Sequence, residues 1–273
     1  MADFPNNNPP DNNSPCFLKT NARLKPINNV VDDVAKNLAK VNLVEKGLMR
    51  QTLATITLGT APQGDLHPLL LEHIPETQIA HFGLLNGLSA AEIKQRYAPV
   101  AGEKVTMTHT EGGSFIALSA ARVSEALQVI IKQLEGKGFS TILVLCAGEY
   151  KNLVADSAVL LEPYSILPPL VNAIANGYQV GVIVARAEYI NEQTYKWRSL
   201  QWTPHFAVAS PWEMGNDRLI EAALTLQDRG ADILLLDCLG YYQRHRDCLE
   251  KLLGIPVLLS NTLIARLAAE LLV

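Results

Sequence analysis

Between Thr52 and Leu272, short and almost wholly apolar runs alternate with longer stretches in which apolar positions recur every three or four residues. The first pattern is that of a strand covered on both faces, the second that of a helix packed along one side. Strands are expected over Thr52–Leu58, Gln78–Phe82, Thr141–Leu145, Ala158–Leu161, Gln179–Ala185, Phe206–Ala209, Asp232–Asp237 and Val257–Leu259. Helices are expected over Ala120–Gly136, Ile166–Asn176, Asn191–Leu200, Asp217–Arg229, Tyr242–Leu253 and Thr262–Leu272. Val105–Thr108 and Ser114–Leu118 flank Glu111-Gly112-Gly113 and read as a hairpin or mobile loop. Alternation of this kind predicts an α/β fold of parallel sheets with helices on both faces, and such sheets take ligands at the carboxyl ends of their strands.

The pattern repeats within the chain. Leu134, Gly138, Leu143, Cys146, Gly148 and Tyr150 lie over Leu226, Gly230, Leu235, Cys238, Gly240 and Tyr242 at a constant offset of 92 (238 − 146). After a slip of six residues, Val159-Leu160-Leu161 lies over Val257-Leu258-Leu259. The expectation is two pseudo-symmetric, doubly wound parallel-sheet lobes, each with a strand ending in Cys-x-Gly. If the lobes face each other about a pseudo-twofold axis, Cys146 and Cys238 look across one cleft. Gly148 and Gly240 would let substrate or backbone approach closely there.

Residues 1–48 read differently. The first fifteen hold five Asn and four Pro, a composition that buries little, although Val30, Val34, Leu38 and Val41 share one stripe of a possible helix. The chain therefore divides into a loose extension, 1–48, and an α/β domain, 49–273. Within that domain one lobe runs over about 49–177 with the C-terminal helix returning to it, and the other over 178–259. A hydrophobic content of 48% with 18% charged residues supports a sizeable core. A net charge of −4 argues against a nucleic-acid partner, no apolar run is long enough for a membrane span, and four scattered cysteines suggest reduced thiols in the cytoplasm.

From Met49 onward the chain resembles the AroM family. The residues that carry the resemblance are Asp237-Cys238-Leu239-Gly240, Gln243 to Asp247, Pro256 to Asn261, the closing run from Leu263, Leu161-Glu162-Pro163 and Tyr97 to Gly102. That family takes its name from an association with aromatic amino-acid biosynthesis genes. More distantly, the architecture and cysteine placement resemble the Asp/Glu/hydantoin racemase superfamily, which implies chemistry without a cofactor on a small carboxylate. Superfamily members carry Cys-Asn-Thr and Gly-Cys-Thr where this chain has Cys146-Ala147-Gly148 and Asp237-Cys238-Leu239. The hydroxyl and amide neighbours that hold a carboxylate are missing, which weakens the case for amino-acid racemisation.

A thiol pair suits proton transfer at a carbon beside a carboxylate, because removing and returning the proton on opposite faces needs two acid/bases. The competing reading of each cysteine is a small buried hydrophobe. Gly59 and Thr60, after the first strand, offer backbone amides to a ligand. Ser260 and Asn261 end the last strand, where they would donate to a carboxylate or, for Asn261, cap a helix. His245 would shuttle a proton or orient the thiolate, or lie on a solvated helix face. Arg186 is either a carboxylate clamp or a surface residue; Cys16 and Cys248 are incidental. His-Glu-x-x-His, Cys-x-x-Cys, the phosphate loop and Gly-x-Ser-x-Gly are all missing, so neither a metal nor a cofactor is expected. The reading is a Cys238-dependent racemase, isomerase or decarboxylase, with Cys146 as the candidate second group and with room for a homo-oligomer. The competing class is a non-catalytic carboxylate-binding or regulatory protein.

Overall fold

The computed structural model describes residues 52–61, 67–110, 115–146, 148–150 and 152–272. The N-terminal segment with Cys16 and the residues Glu111-Gly112-Gly113 lie outside them. Among the described residues, ten strands are interspersed with helices. They are β1 (Leu53–Thr57), β2 (Ile79–Gly83), β3 (Val105–His109), β4 (Phe115–Ser119), β5 (Thr141–Leu145), β6 (Val159–Leu161), β7 (Val180–Val184), β8 (His205–Val208), β9 (Ile233–Leu236) and β10 (Val257–Leu259). The helices are α1 (His67–Leu71), α2 (Ala90–Tyr97), α3 (Ala120–Gly136), α4 (Pro163–Ile174), α5 (Ile190–Lys196), α6 (Asp217–Asp228), α7 (Gln243–Leu253) and α8 (Ser260–Glu270).

The strands form two parallel four-stranded sheets, ordered β2-β1-β5-β6 and β8-β7-β9-β10, with β3 and β4 a separate antiparallel pair. Each parallel sheet runs second, first, third, fourth in chain order, so the internal repeat is a repeat of topology. Its detail is preserved at the helix ends. Phe139 N–H donates to Leu134 O at 3.2 Å, and Ala231 N–H to Leu226 O at 3.0 Å. The glycines between them, Gly138 and Gly230, take φ values of +86° and +89°. A left-handed residue at this position ends a helix with its last carbonyls bonded, and glycine takes it without a Cβ clash.

Both sheets are covered on both faces. Ala54 and Ile56 of β1 pack on Val123, Leu127 and Ile130 of α3, while Leu53 packs with Leu69 and Leu70 of α1. In the second lobe, Ile183 of β7 joins Leu219 and Leu226 of α6, and Val182 joins Trp197 on the other face. The two helices that follow the fourth strands cross over. Leu167 and Val171 of α4 pack into the second lobe's core, and Ile264, Ala265 and Ala268 of α8 pack into the first lobe's. Thus α4 precedes the division expected at about residue 177 yet packs its apolar side on residues beyond it. Among the described residues, no helix is long and apolar enough to cross a membrane.

Candidate active site

Cys146 follows the last residue of β5, and Cys238 lies two residues beyond β9. These are equivalent strands, each third in chain order and next to the first strand of its sheet. Topological equivalence has not given the two thiols equivalent surroundings. Cys146 is buried, and burial pushes its thiol up to about 12 despite bonds from the Tyr150 side chain and the Leu58 backbone. Tyr150 is held in turn by Thr106, with their hydroxyl oxygens 3.1 Å apart. Cys238 is only half-buried.

The loop carrying Cys238 is fixed from below. The side-chain amide of Asn261 donates to Leu239 O at 2.9 Å and to Tyr241 O at 2.6 Å. The Tyr241 hydroxyl donates to Ala209 O at 2.6 Å. A Cβ on Gly240 would lie 2.8 Å from Pro211 Cγ and 3.0 Å from the Trp212 ring. The space that a side chain at position 240 would need is filled by the loop after β8. Asp237, the residue before Cys238, is buried, with Oδ2 2.7 Å from Lys196 Nζ and accepting from Trp197 Nε1 at 3.0 Å.

The other residues singled out from the sequence take several positions. Ser260 is buried and donates to Leu236 O at 3.2 Å, so its hydroxyl ties β9 to the start of α8. His245 is buried, its Nδ1 accepting the Tyr242 N–H at 2.9 Å; burial, then Arg244, pushes its pKa down. That bond puts the neutral ring's proton on Nε2 and makes His245 part of the start of α7. Gly59 and Thr60 are half-buried at the carboxyl end of β1. Gly59 O accepts from Leu85 N–H at 3.3 Å, and Ala61 N–H donates to Asn86 Oδ1 at 2.9 Å. A Cβ on Gly148 would lie 3.2 Å from the Tyr150 hydroxyl. Arg186 lies 4.7 Å above the Phe115 ring and 3.8 Å from Glu188. Cys248 lies 3.7 Å from Asn216 Nδ2.

Three participants went unread in the sequence. Tyr189 lies close enough to Cys238 for the thiolate to add to the upward shift that burial gives its phenol. Glu192 acts in the same direction on both Tyr189 and Tyr150, so one carboxylate of the second lobe borders the surroundings of both thiols. Lys104 bridges the lobes, 3.5 Å from Glu149 and 3.8 Å from Glu192. Nothing in a lone tyrosine or an isolated lysine marks such roles. Among the described residues, no group of three or more His, Cys, Asp or Glu is arranged to hold a metal ion.

The family described as AroM protein matches residues 53–272. No curated protein matches the sequence. Among solved structures, an arylmalonate decarboxylase superposes with a TM-score of 0.53 at 12% identity, over 80% of this chain and 92% of that one. An aspartate racemase of Picrophilus torridus gives 0.45 at 16%, over 80% and 93%. A maleate cis-trans isomerase of Nocardia farcinica gives 0.48 at 13%, over 80% and 89%. The first of these shows a shared two-lobed fold; identities this low show nothing of chemistry.

Proposed function

The chain belongs to the AroM family, and from that premise we propose that it is an enzyme acting on a small carboxylate, with Cys238 as the single proton-transferring group. One observation carries the reading. Of two cysteines at equivalent strand ends, Cys238 is only half-buried, whereas Cys146 is buried with its proton held. A thiol held that way is a poor base at neutral pH, so the two-base arrangement needed for racemisation gives way to chemistry on one face.

Decarboxylation is the step that fits. A carbon–carbon bond to one carboxylate breaks, carbon dioxide leaves, and the electron pair stays on the neighbouring carbon as an enediolate conjugated with the second carboxylate. The Cys238 thiol gives its proton to that carbon, and solvent reprotonates the thiolate. Tyr189, whose phenol is pushed up by burial and so stays protonated at neutral pH, offers an uncharged hydrogen-bond donor beside the thiol. The grip of Asn261 on Leu239 O and Tyr241 O favours a rigid loop, as proton transfer requires.

The test is to incubate the protein in deuterium oxide with substituted malonates, maleate and aspartate, following loss of carboxylate and deuterium uptake by proton NMR. The expected result is turnover that Cys238→Ser abolishes and Cys146→Ser leaves within a few-fold. Binding without turnover would return the chain to the class of carboxylate-binding proteins. Full activity in Cys238→Ser would overturn the proposal.

A further inference from the structure

A cavity of about 300 Å³ opens between the start of α4, the residues after β5 and the end of α5, and its lining includes neither Cys146 nor Cys238. Its charged groups are Glu149, Glu162, Lys196 and Arg198. Two of these are already matched: Glu149 lies 3.5 Å from Lys104, and Lys196 lies 2.7 Å from Asp237. Glu162 and Arg198 are not, since neither forms an ion pair among the described residues.

Each is set for a ligand in its own way. Glu162 is half-buried, and the loss of water raises its carboxyl pKa. Arg198 is pre-organised. Its Nη1 donates to Tyr195 O at 2.8 Å, and its guanidinium stacks 3.6 Å above the Tyr195 ring, which leaves the other N–H donors of the fork uncommitted. In the first turn of α4 and lining the same cavity as this arginine, the Tyr164 hydroxyl is buried without a hydrogen-bond partner among the described residues. A buried hydroxyl in a native structure almost always has one.

We propose that this cavity binds a small zwitterion with the chemistry of a free amino acid, its ammonium on Glu162, its carboxylate on Arg198 and a hydrogen bond from the Tyr164 hydroxyl. The volume lies at the lower end of the range for ligand pockets and suits a molecule of that size. The proposal does not rest on the Cys238 reading, because Glu162, Tyr164 and Arg198 have no part in that reading.

Isothermal titration of the full chain tests it. The probes are L-alanine and 4-aminobutyrate, which separate the α- and ω-spacing of the two charges, and propionate and ethylammonium, each lacking one charge. The expected result is saturable binding of at least one zwitterion. That binding should weaken at least about tenfold in Glu162→Gln and in Arg198→Gln, and stay within twofold in Cys238→Ser. A circular-dichroism melt of each variant confirms the fold. Failure of both zwitterions to bind overturns the proposal. So does equal binding of propionate, or binding that is lost with Cys238 and kept without Glu162.

Discussion

The ammonium of Lys196 lies 2.7 Å from the Asp237 carboxylate, with the two side chains 1% and 5% exposed. Such a pair gains little over well-packed apolar residues, yet breaking it strands a charge away from water. Lys196→Met should destabilise the protein by about 3–5 kcal/mol in urea unfolding, and the double variant Lys196→Met, Asp237→Leu should recover most of that loss.

Asn261 makes two bonds to the Cys238 loop and also accepts the Thr262 N–H at 2.7 Å. Asn261→Ala should cost about 2–3 kcal/mol and speed alkylation of Cys238 by iodoacetamide as the loop loosens. Asn261→Asp should be worse at neutral pH, because a carboxylate oxygen would then face two carbonyl oxygens. Thermal melts of the two variants at pH 5 and pH 8 check this.

Two glycines should tolerate a methyl group differently. At Gly83 a Cβ would meet backbone, 2.6 Å from Gly59 O and 2.7 Å from Ala61 N, and neither can swing aside. At Gly240 it would meet the side chains of Pro211 and Trp212. Gly83→Ala should cost more than about 3 kcal/mol and Gly240→Ala about 1–2 kcal/mol, with a change in Trp212 fluorescence in the second case only.

His81 carries the acid sensitivity of the first sheet. Burial, and next the neighbouring His67, bring its pKa from 6.5 to about 4. The unfolded chain therefore binds the proton more readily than the folded one. The stabilising contribution is complete above pH 6.5 and is lost as pH falls towards 4. It should amount to about 2 kcal/mol once solvent screening is allowed for. His81→Gln should flatten the stability profile in that window. A separate fall between pH 4.5 and 2 should persist, because Glu135 is held at about 2, chiefly by the Ser157 and Ala158 backbone N–H groups.

The thiols should separate by reactivity as they do by burial. At pH 8, iodoacetamide should label Cys238 and spare Cys146, whose thiol stays protonated until about 12. Peptide mass mapping before and after unfolding reads this directly, with Cys146 labelled only in urea.

Much of the fold was legible because parallel strands buried on both faces announce themselves. The helix at about Ala120–Gly136 and the strands Thr141–Leu145 and near Val257–Leu259 stand where the pattern puts them. The start of α4 falls three residues before the expected Ile166, since Pro163 fits the first turn of a helix. Helix α2 was missed although Ser89 and Glu92 spell its capping box, because its polar sequence carries little apolar periodicity. The constant offset of 92 predicted equivalent places for Cys146 and Cys238. It could not predict their unlike burial, which depends on Tyr150, Leu58 and the hairpin arriving from elsewhere. The pairing of Lys196 with Asp237 was equally out of reach. Apolar periodicity says that a helix has a buried side but not what it will be buried against, so the crossing of α4, unlike the expected return of α8 to the first lobe, could not be read either.

That crossing has a consequence for biosynthesis. The first lobe has all four strands once Leu161 has been made, but its core still lacks Ile264, Ala265 and Ala268. At ribosomal speeds those residues arrive on the order of ten seconds later, after the whole second lobe. Through that interval Leu53, Leu143 and Leu161 stand along an open apolar seam on the nascent chain. Exposed apolar surface of this kind makes a half-made chain prone to aggregate. Truncation inside α8 should yield a chain that aggregates rather than a stable fragment.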